Sequence, residues 1–450
     1  MNYILSLGLL LLFALLSNRI MKLFKMPAVT GYLIVGLIIA IFTILIDSIH
    51  TGTNLTETLN SFNTLISSIA LGFIALSIGE EFKISKIKKY GKNIILITFL
   101  QAFAAVFFVD IALLILCLIL KLNLSIALCL GAIATATAPA ATIMVINQYK
   151  AKGPMVDLLL PVVAFDDAIG LVVFAVSVSF AKLIAIGGNV SIISILLVPL
   201  INIFGSLIFG FILGLIMHFI MPYFKSRNNH EVVFISFTLV GVGLCDLFNT
   251  FNIAGEYLEL SNLLCCMMIG ATYTNIVKKK DVDVMYRDFE LVDRWTPFLF
   301  MLFFVLSGSH LVIAMKEMIE SNSISFLLPV LLVFVIYLLF RSLGKYYGCK
   351  LGCVITKQDK RTTNNLGITL LPQAGVAIGM ANQISRMDAF KTNSIGNIIV
   401  TCVLCATLVY ELVGPLLTKQ ALNRVGEIPN SDGIYPFEEE LKRSQNIYFK

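Results

Sequence analysis

Asp166 and Asp167 stand side by side in "PVVAFDDAIGLVVFAV", residues 161–176, a run otherwise as apolar as a membrane span. A carboxylate in such a place suits one kind of chemistry: ionised, it holds a small cation; protonated, it is neutral; the two occupancies exclude each other. An ionised side chain at mid-bilayer costs about 2.5 to 3.5 kcal/mol even on a lenient scale, and neighbouring carboxylates repel. Packing alone gives no reason to place two of them there.

Three further features lie at the same depth. Arg341, in "YLLFRSLGKYYG", is a lone guanidinium within a span. Pro139 in "GAIATATAPAATIMVINQ" and Pro372 in "GITLLPQAGVAIGMANQ" interrupt two other spans. At 1.5 Å per helical residue, all of these residues fall about 12 to 14 Å from the lysine-rich end of their spans, near the midplane. Proline removes an intrahelical hydrogen bond and clashes with the preceding turn, so both spans are expected to break there. Thr135 and Thr137 flank the first break, and Gln373 and Gly375 the second. The matched depths point to Arg341 as the ion-pair partner of Asp166.

The elements that must position these groups follow from composition. A chain of 450 residues that is 58% hydrophobic and 13% charged is too apolar for an ordinary water-soluble domain. It reads as an all-α polytopic membrane protein. About 20 apolar residues cross the hydrocarbon core as a helix, and thirteen such candidates run near 3–20, 27–46, 64–81, 93–120, 124–147, 157–185, 191–221, 231–249, 257–275, 297–315, 324–348, 363–386 and 393–418. Positive charges follow the first apolar run instead of preceding it, which is not the pattern of a cleaved signal. Odd-numbered loops and the tail hold 26 Lys and Arg, even-numbered loops 4. Basic loops stay on the cytoplasmic side, so the N-terminus is expected outside and the C-terminus inside. The net charge of +6 is largely this bias and implies no nucleic-acid partner.

Broken spans in corresponding places of two halves mark a transporter with inverted repeats and a midplane site. Repeat one covers about 1–185, a linker helix 191–221, and repeat two about 231–418, with a short polar tail at 419–450. Paired spans are then seven apart and run in opposite directions.

The residues as a set resemble the cation/proton antiporter superfamily, in the branch that holds Nha-type and Nap-type sodium/proton exchangers and Kef-type potassium exchangers. "MPAVTGYLIVGLIIA" is similar to the family's "P-x-x-x-G-Y-x-x-x-G" helix, "LGFIALSIGEEFKI" to its "GLE" segment, "ATATAPAAT" to its unwound core helix and "FDDAIGL" to its paired-aspartate signature. The resemblance implies the Nha-type fold with crossed discontinuous helices, a homodimer in the cell membrane, and exchange of Na⁺ (or K⁺ or Li⁺) for H⁺. It implies Asp167 as the carrier of cation and proton, with Thr135 and Thr137 beside it, and Asp166 paired with the basic residue of a later core helix, here Arg341. Electrogenic relatives often have Lys at that position; Arg effectively cannot deprotonate, which implies one proton per cation. Kef-type members carry "GGEF" where this chain has "PQAGVAIG", and the tail is too short for their regulatory domain.

Other residues carry less. Cys402 and Cys405 form a CxxC inside a span, with no matching pair of ligands and no resident metal or cofactor implied. Asp110 and Asp246 fit packed or near-surface contacts, Glu411 a structural role, and His218 and His310 span ends. An intramembrane aspartyl protease uses YD and GxGD contexts, and "YD" does not occur in the chain. A sodium-coupled symporter of the bile-acid type shares crossed broken helices but has no need for adjacent acids at mid-depth. Cation/proton antiport is the reading that uses all the features; no enzymatic activity is expected.

Overall fold

The computed structural model describes residues 3–23, 28–49, 54–138, 142–143, 145–146, 149–186, 192–224, 226–249, 252–253, 256–257, 260–277, 289–292, 294, 296–322, 327–391, 394–430 and 435–437. Pro139 lies outside the described residues, and so does the side chain of Asp167.

In hydrocarbon every backbone polar group must be satisfied within the protein, which leaves helices as the economical solution for apolar runs of this length. The helices are α1 (Tyr3–Leu23), α2 (Ala28–Ile49), α3 (Leu55–Glu81), α4 (Ile84–Leu120), α5 (Ser125–Ile133), α6 (Pro154–Ile186), α7 (Ile192–Ile220), α8 (Arg227–Phe248), α9 (Asn262–Ile276), α10 (Pro297–Asn322), α11 (Leu327–Ile355), α12 (Lys360–Thr369), α13 (Gly375–Arg386), α14 (Asp388–Lys391) and α15 (Ile395–Val425). Among the described residues, eight helices are long and apolar enough to cross a membrane, and shorter apolar helical stretches lie at Leu7–Met21, Pro154–Val163 and Ile169–Ala185. The one described strand pair joins Asn252–Ile253 to Glu256–Tyr257 antiparallel.

The packing maps onto itself when α1–α6 are exchanged for α8–α12 and α15. The α2·α10 contact has its counterpart in α3·α9, α4·α5 in α11·α12, α5·α6 in α12·α15, and α4·α6 in α11·α15, while α4·α11 is its own counterpart. The same device closes both outer crossings. A Cβ on Gly36 of α2 would lie 2.0 Å from the Val305 carbonyl oxygen of α10, and one on Gly270 of α9 would lie 2.3 Å from that of Leu76 of α3. Backbones approach this closely only where glycine omits the side chain. One bundle, α4–α6 with α11–α15, therefore forms around the α4·α11 crossing, and α1–α3 with α7–α10 packs beside it.

Gly91, with φ 79° and ψ 167°, breaks α4 near its start, so that the segment before it departs from the axis of the rest. Past α15 the chain returns to the N-terminus of α6: the Glu427 carboxylate accepts from Met155 N at 2.6 Å and Val156 N at 2.9 Å. These are orphan donors of a helix start, and a carboxylate is well placed to cap them. Glu427 is 2% exposed, and burial pushes its carboxyl above the usual range despite those hydrogen bonds.

Candidate functional site

The two interrupted spans meet at their breaks. Helix α5 ends at Ile133 and residues 134–138 leave the helix, while residues 370–374 separate α12 from α13. Ala138 N donates to Pro372 O at 2.9 Å and joins the breaks directly. Pro372 sits against α15, where a Cβ on Gly414 would lie 2.8 Å from its ring. Gln373 and Gly375, singled out with Pro372 from the sequence, occupy the break and the first position of α13.

Breaking a helix inside a membrane orphans carbonyls that water cannot reach. At the first break the carbonyl of Ile133 accepts from Gln373 Nε2 at 3.1 Å. Arg341 Nε donates to Ala134 O at 3.2 Å and its Nη2 to Ala136 O at 2.7 Å. Lys345 Nζ serves Thr135 O. The second break is treated alike: Thr369 O accepts from Thr142 at 3.1 Å, Leu371 O from Arg341 Nη1 at 2.8 Å, and Pro372 O from Ala138 N, while Leu370 O lies 3.4 Å from the Thr137 hydroxyl, whose single proton is turned to Asp166. Four consecutive carbonyls on the first side and three on the second thus have a donor. Tyr337 braces Gln373, its hydroxyl accepting from Nε2 at 2.8 Å, and Arg341 lies over the Tyr410 ring, 4.5 Å from its centroid.

Asp166 of α6 projects into this crossing and is fully buried. Its Oδ2 pairs with Lys345 Nζ at 2.6 Å, with both side chains at 0% exposure, and also accepts from Thr137 Oγ1. Its Oδ1 accepts from Gln101 Nε2 of α4. Lys345 further donates to Thr137 Oγ1 at 2.9 Å. The carboxylate therefore has one cation and two neutral donors, the satisfaction that a charge so far from water requires.

This corrects the expected partner of Asp166. Helix α11 is the expected one, but the paired residue is Lys345, one turn beyond Arg341. The chemistry explains the division: a planar guanidinium with five donors suits carbonyls spread over both breaks, while a compact ammonium suits one carboxylate oxygen. The inference of one proton per cation rested on Arg341 in that place and loses its premise. Gln101, absent from the sequence reading, carried a signal of its own: a lone amide in "TFLQAFAAV" must find a buried partner.

Thr137 reaches the cluster, whereas the Thr135 hydroxyl turns back to Ala132 O at 2.7 Å, with only its carbonyl taken by Lys345. Asp167 follows Asp166 in α6. The lesser candidates lie elsewhere: Asp246 accepts from Asn262 at 3.0 Å, His310 Nδ1 lies 3.0 Å from Asn382 Oδ1, and Glu411 is buried in α15 with no hydrogen-bond partner for Oε2 among the described residues. Between the two bundles a cleft of about 750 Å³ is lined by Phe174, Val178 and Lys182 of α6, Asn202 of α7, Asp246 of α8 and Arg386 of α13 among others. Phe174 is about 12 Å along α6 from Asp166.

The chain is similar in fold to solved structures of the sodium proton antiporter MjNhaP1 from Methanocaldococcus jannaschii. The structure at pH 8 aligns with a TM-score of 0.67 at 20% identity, over 94% of this chain and 99% of that one. An electron-microscopy structure of the same antiporter aligns at 0.63 and 19%, over 93% and 97%. No curated protein matches the chain at the sequence level. A family profile described as "Sodium/hydrogen exchanger, transmembrane" matches residues 8–420, nearly the whole length. A multi-pass helical chain with two interrupted helices crossed around a buried aspartate, matched over that length, belongs to the sodium/hydrogen exchanger family.

Proposed function

We propose that this protein exchanges a monovalent cation, Na⁺ in the first place, for protons, with Asp167 as the carboxylate that takes either one. The observation that carries the reading is the state of Asp166: fully buried and fixed by Lys345, Thr137 and Gln101 where the broken helices cross. Successive residues of an α-helix point about 100° apart, so the next residue is free to play a different part. Asp166 holds the charge balance of the crossing, and Asp167 is left to titrate and bind.

The carbonyls of the breaks support the same division. The carbonyls of Ile133 to Ala136 and of Thr369, Leu371 and Pro372 already accept hydrogen bonds from the protein, so they serve to hold the crossing together, and carboxylate oxygen with water is the main source of the cation's coordination. Sodium and proton then compete for one group. Exchange follows because the site crosses the membrane only when one of them neutralises it.

Lys345 adds a second exchangeable proton, since an ammonium, unlike a guanidinium, can give one up. A cation arriving beside Asp166 and Lys345 favours that release, which makes two protons per cation the stoichiometry of this reading. The bundle built on the α4·α11 crossing moves against the rest, the cleft beside Phe174 is the access route on the lysine-poor side, and the chain works as a homodimer in the cell membrane with its C-terminus in the cytoplasm.

The test is transport by the purified protein in liposomes with a pH dye inside. With a pH gradient imposed, Na⁺, Li⁺ and K⁺ are added in turn. Dissipation of the gradient by Na⁺, absent from empty liposomes, is the expected result. Sodium uptake without proton movement would contradict the reading and point to a symporter.

A further inference from the structure

Helix α4 enters the membrane through an elbow. Gly91, at φ 79° and ψ 167°, separates a helical segment beginning at Ile84 from the long apolar remainder. From Lys83 to Lys92 the sequence "KISKIKKYGK" holds five lysines and no acid. Directly beyond the elbow, Lys92, Ile95, Leu96, Phe99, Leu100 and Phe103 line a groove of about 520 Å³. The Phe99 and Phe103 rings are stacked at 5.0 Å and 19°, and form one flat wall. They are 46% and 48% exposed.

Exposed apolar side chains are ordinary on a membrane protein. What distinguishes this groove is its length and the charge at one end. From Lys92 to Phe103 a helix rises about 16 Å, which is half of a hydrocarbon core about 30 Å thick. The groove is thus as long as one leaflet is deep. Clusters of four to eight basic residues at the membrane end of a helix attract anionic headgroups, each contributing about a fivefold gain in affinity.

We propose that the α4 elbow is a binding site for an anionic phospholipid of the leaflet on the lysine-rich side. The headgroup phosphate lies at the elbow, beside Lys92 and the lysine-rich segment that precedes it in sequence, and one acyl chain runs along the Phe99 and Phe103 wall. Charge complementarity selects this occupant over a zwitterionic lipid, and an apolar groove in the membrane selects a lipid over a soluble phosphate. Gln101, which holds Asp166, lies on the same helix between the two phenylalanines, so the lipid sits on the back of an element of the transport site. The proposal does not depend on which cation is exchanged.

The chain has one tryptophan, Trp295. Phe99→Trp in a Trp295→Phe background reports on the groove, and Phe219→Trp in the same background reports on α7, where Phe219 is 67% exposed. Each protein is reconstituted in phosphatidylcholine vesicles carrying brominated phosphatidylglycerol or, in parallel, brominated phosphatidylcholine. At position 99 the anionic quencher is expected to act at about one-fifth or less of the concentration the zwitterionic one requires, one lysine alone being worth about fivefold, with equal action at position 219. Lys83, Lys86, Lys88, Lys89 and Lys92→Gln together should bring the ratio at 99 to about one. Should that variant fail to insert, Lys92→Gln alone is expected to cut the preference severalfold. Equal quenching at 99, a preference that survives the lysine substitutions, or the same preference at 219 would overturn the proposal.

Discussion

Lys345→Met removes the only cation bonded to Asp166 among the described residues and leaves a buried carboxylate with two neutral donors. Breaking a buried pair from one side costs about 3 to 5 kcal/mol. Here Thr137 and Gln101 still donate to Asp166, which places the loss toward the lower end. Thr135 O also loses its donor, an orphaned buried carbonyl worth about 1 kcal/mol or more, which raises it again. Spread over the unfolding entropy of 450 residues, at about 2.1 cal/mol/K each, a loss of this size lowers the thermal midpoint by about 3 to 5 °C. The assay is thermal unfolding in detergent for Lys345→Met, Asp166→Asn and the double variant. Once one partner is gone, the other has nothing left to lose, so the double variant should be no worse than the poorer single and the coupling should reach about 2 kcal/mol. The same cycle with Arg341→Met in place of Lys345→Met should give the smaller coupling. Losses that add within about 0.5 kcal/mol for Lys345 and Asp166, or a larger coupling through Arg341, would refute the pairing.

Arg341→Lys keeps the charge but gives up the fork that reaches Ala134, Ala136 and Leu371; a loss of about 2 to 4 kcal/mol is expected at about 1.5 kcal/mol or more per charge-assisted bond, seen as a lower midpoint, and a midpoint unchanged within error would show that the carbonyls do not need it. Glu427→Ala uncaps α6, and the orphaned Met155 and Val156 N–H groups should cost about 1 to 3 kcal/mol. Since burial raises the folded-state pKa of Glu427 above its unfolded value, the folded chain binds the proton more tightly, and wild-type stability should fall as pH rises from the ordinary glutamate range through the raised value. Glu427→Gln should flatten that slope in unfolding midpoints measured across pH, and an identical slope would assign it to other groups. With Lys345 supplying a second proton, exchange in liposomes should accelerate at a valinomycin-set potential of about 100 mV, worth about 2.3 kcal/mol per charge; rates equal at zero and 100 mV would return the stoichiometry to one for one.

Much of this was readable from residue types and their spacing, because a membrane penalises unexplained polarity. Asp166, in an apolar run, and Pro372, in another span, both lie at the crossing, and the matched prolines suggest paired halves. Depth, however, is a one-dimensional coordinate. Arg341 and Lys345 share a face of α11 and differ by one turn, about 6 Å along the axis, less than the uncertainty in where a span begins. Which of them meets Asp166 depends on how α11 crosses α4, a close approach set by glycine. A Cβ on Gly344 would lie 2.7 Å from Ala105 Cα, and one on Gly348 would lie 2.6 Å from the Leu100 carbonyl oxygen. Gln101 sits at that same crossing. Its role follows from the packing of two helices distant in sequence, as does the return of Glu427 to the start of α6.

Asp167→Asn tests the division of labour between the adjacent aspartates most directly. The variant is to be reconstituted beside wild type in liposomes with an internal pH dye and an imposed pH gradient, after its unfolding midpoint has been compared with wild type. The predicted result is a folded protein, with a midpoint within about 2 °C of wild type, in which Na⁺ no longer moves protons at any concentration. Sodium-driven proton movement at the wild-type rate in Asp167→Asn would contradict the account.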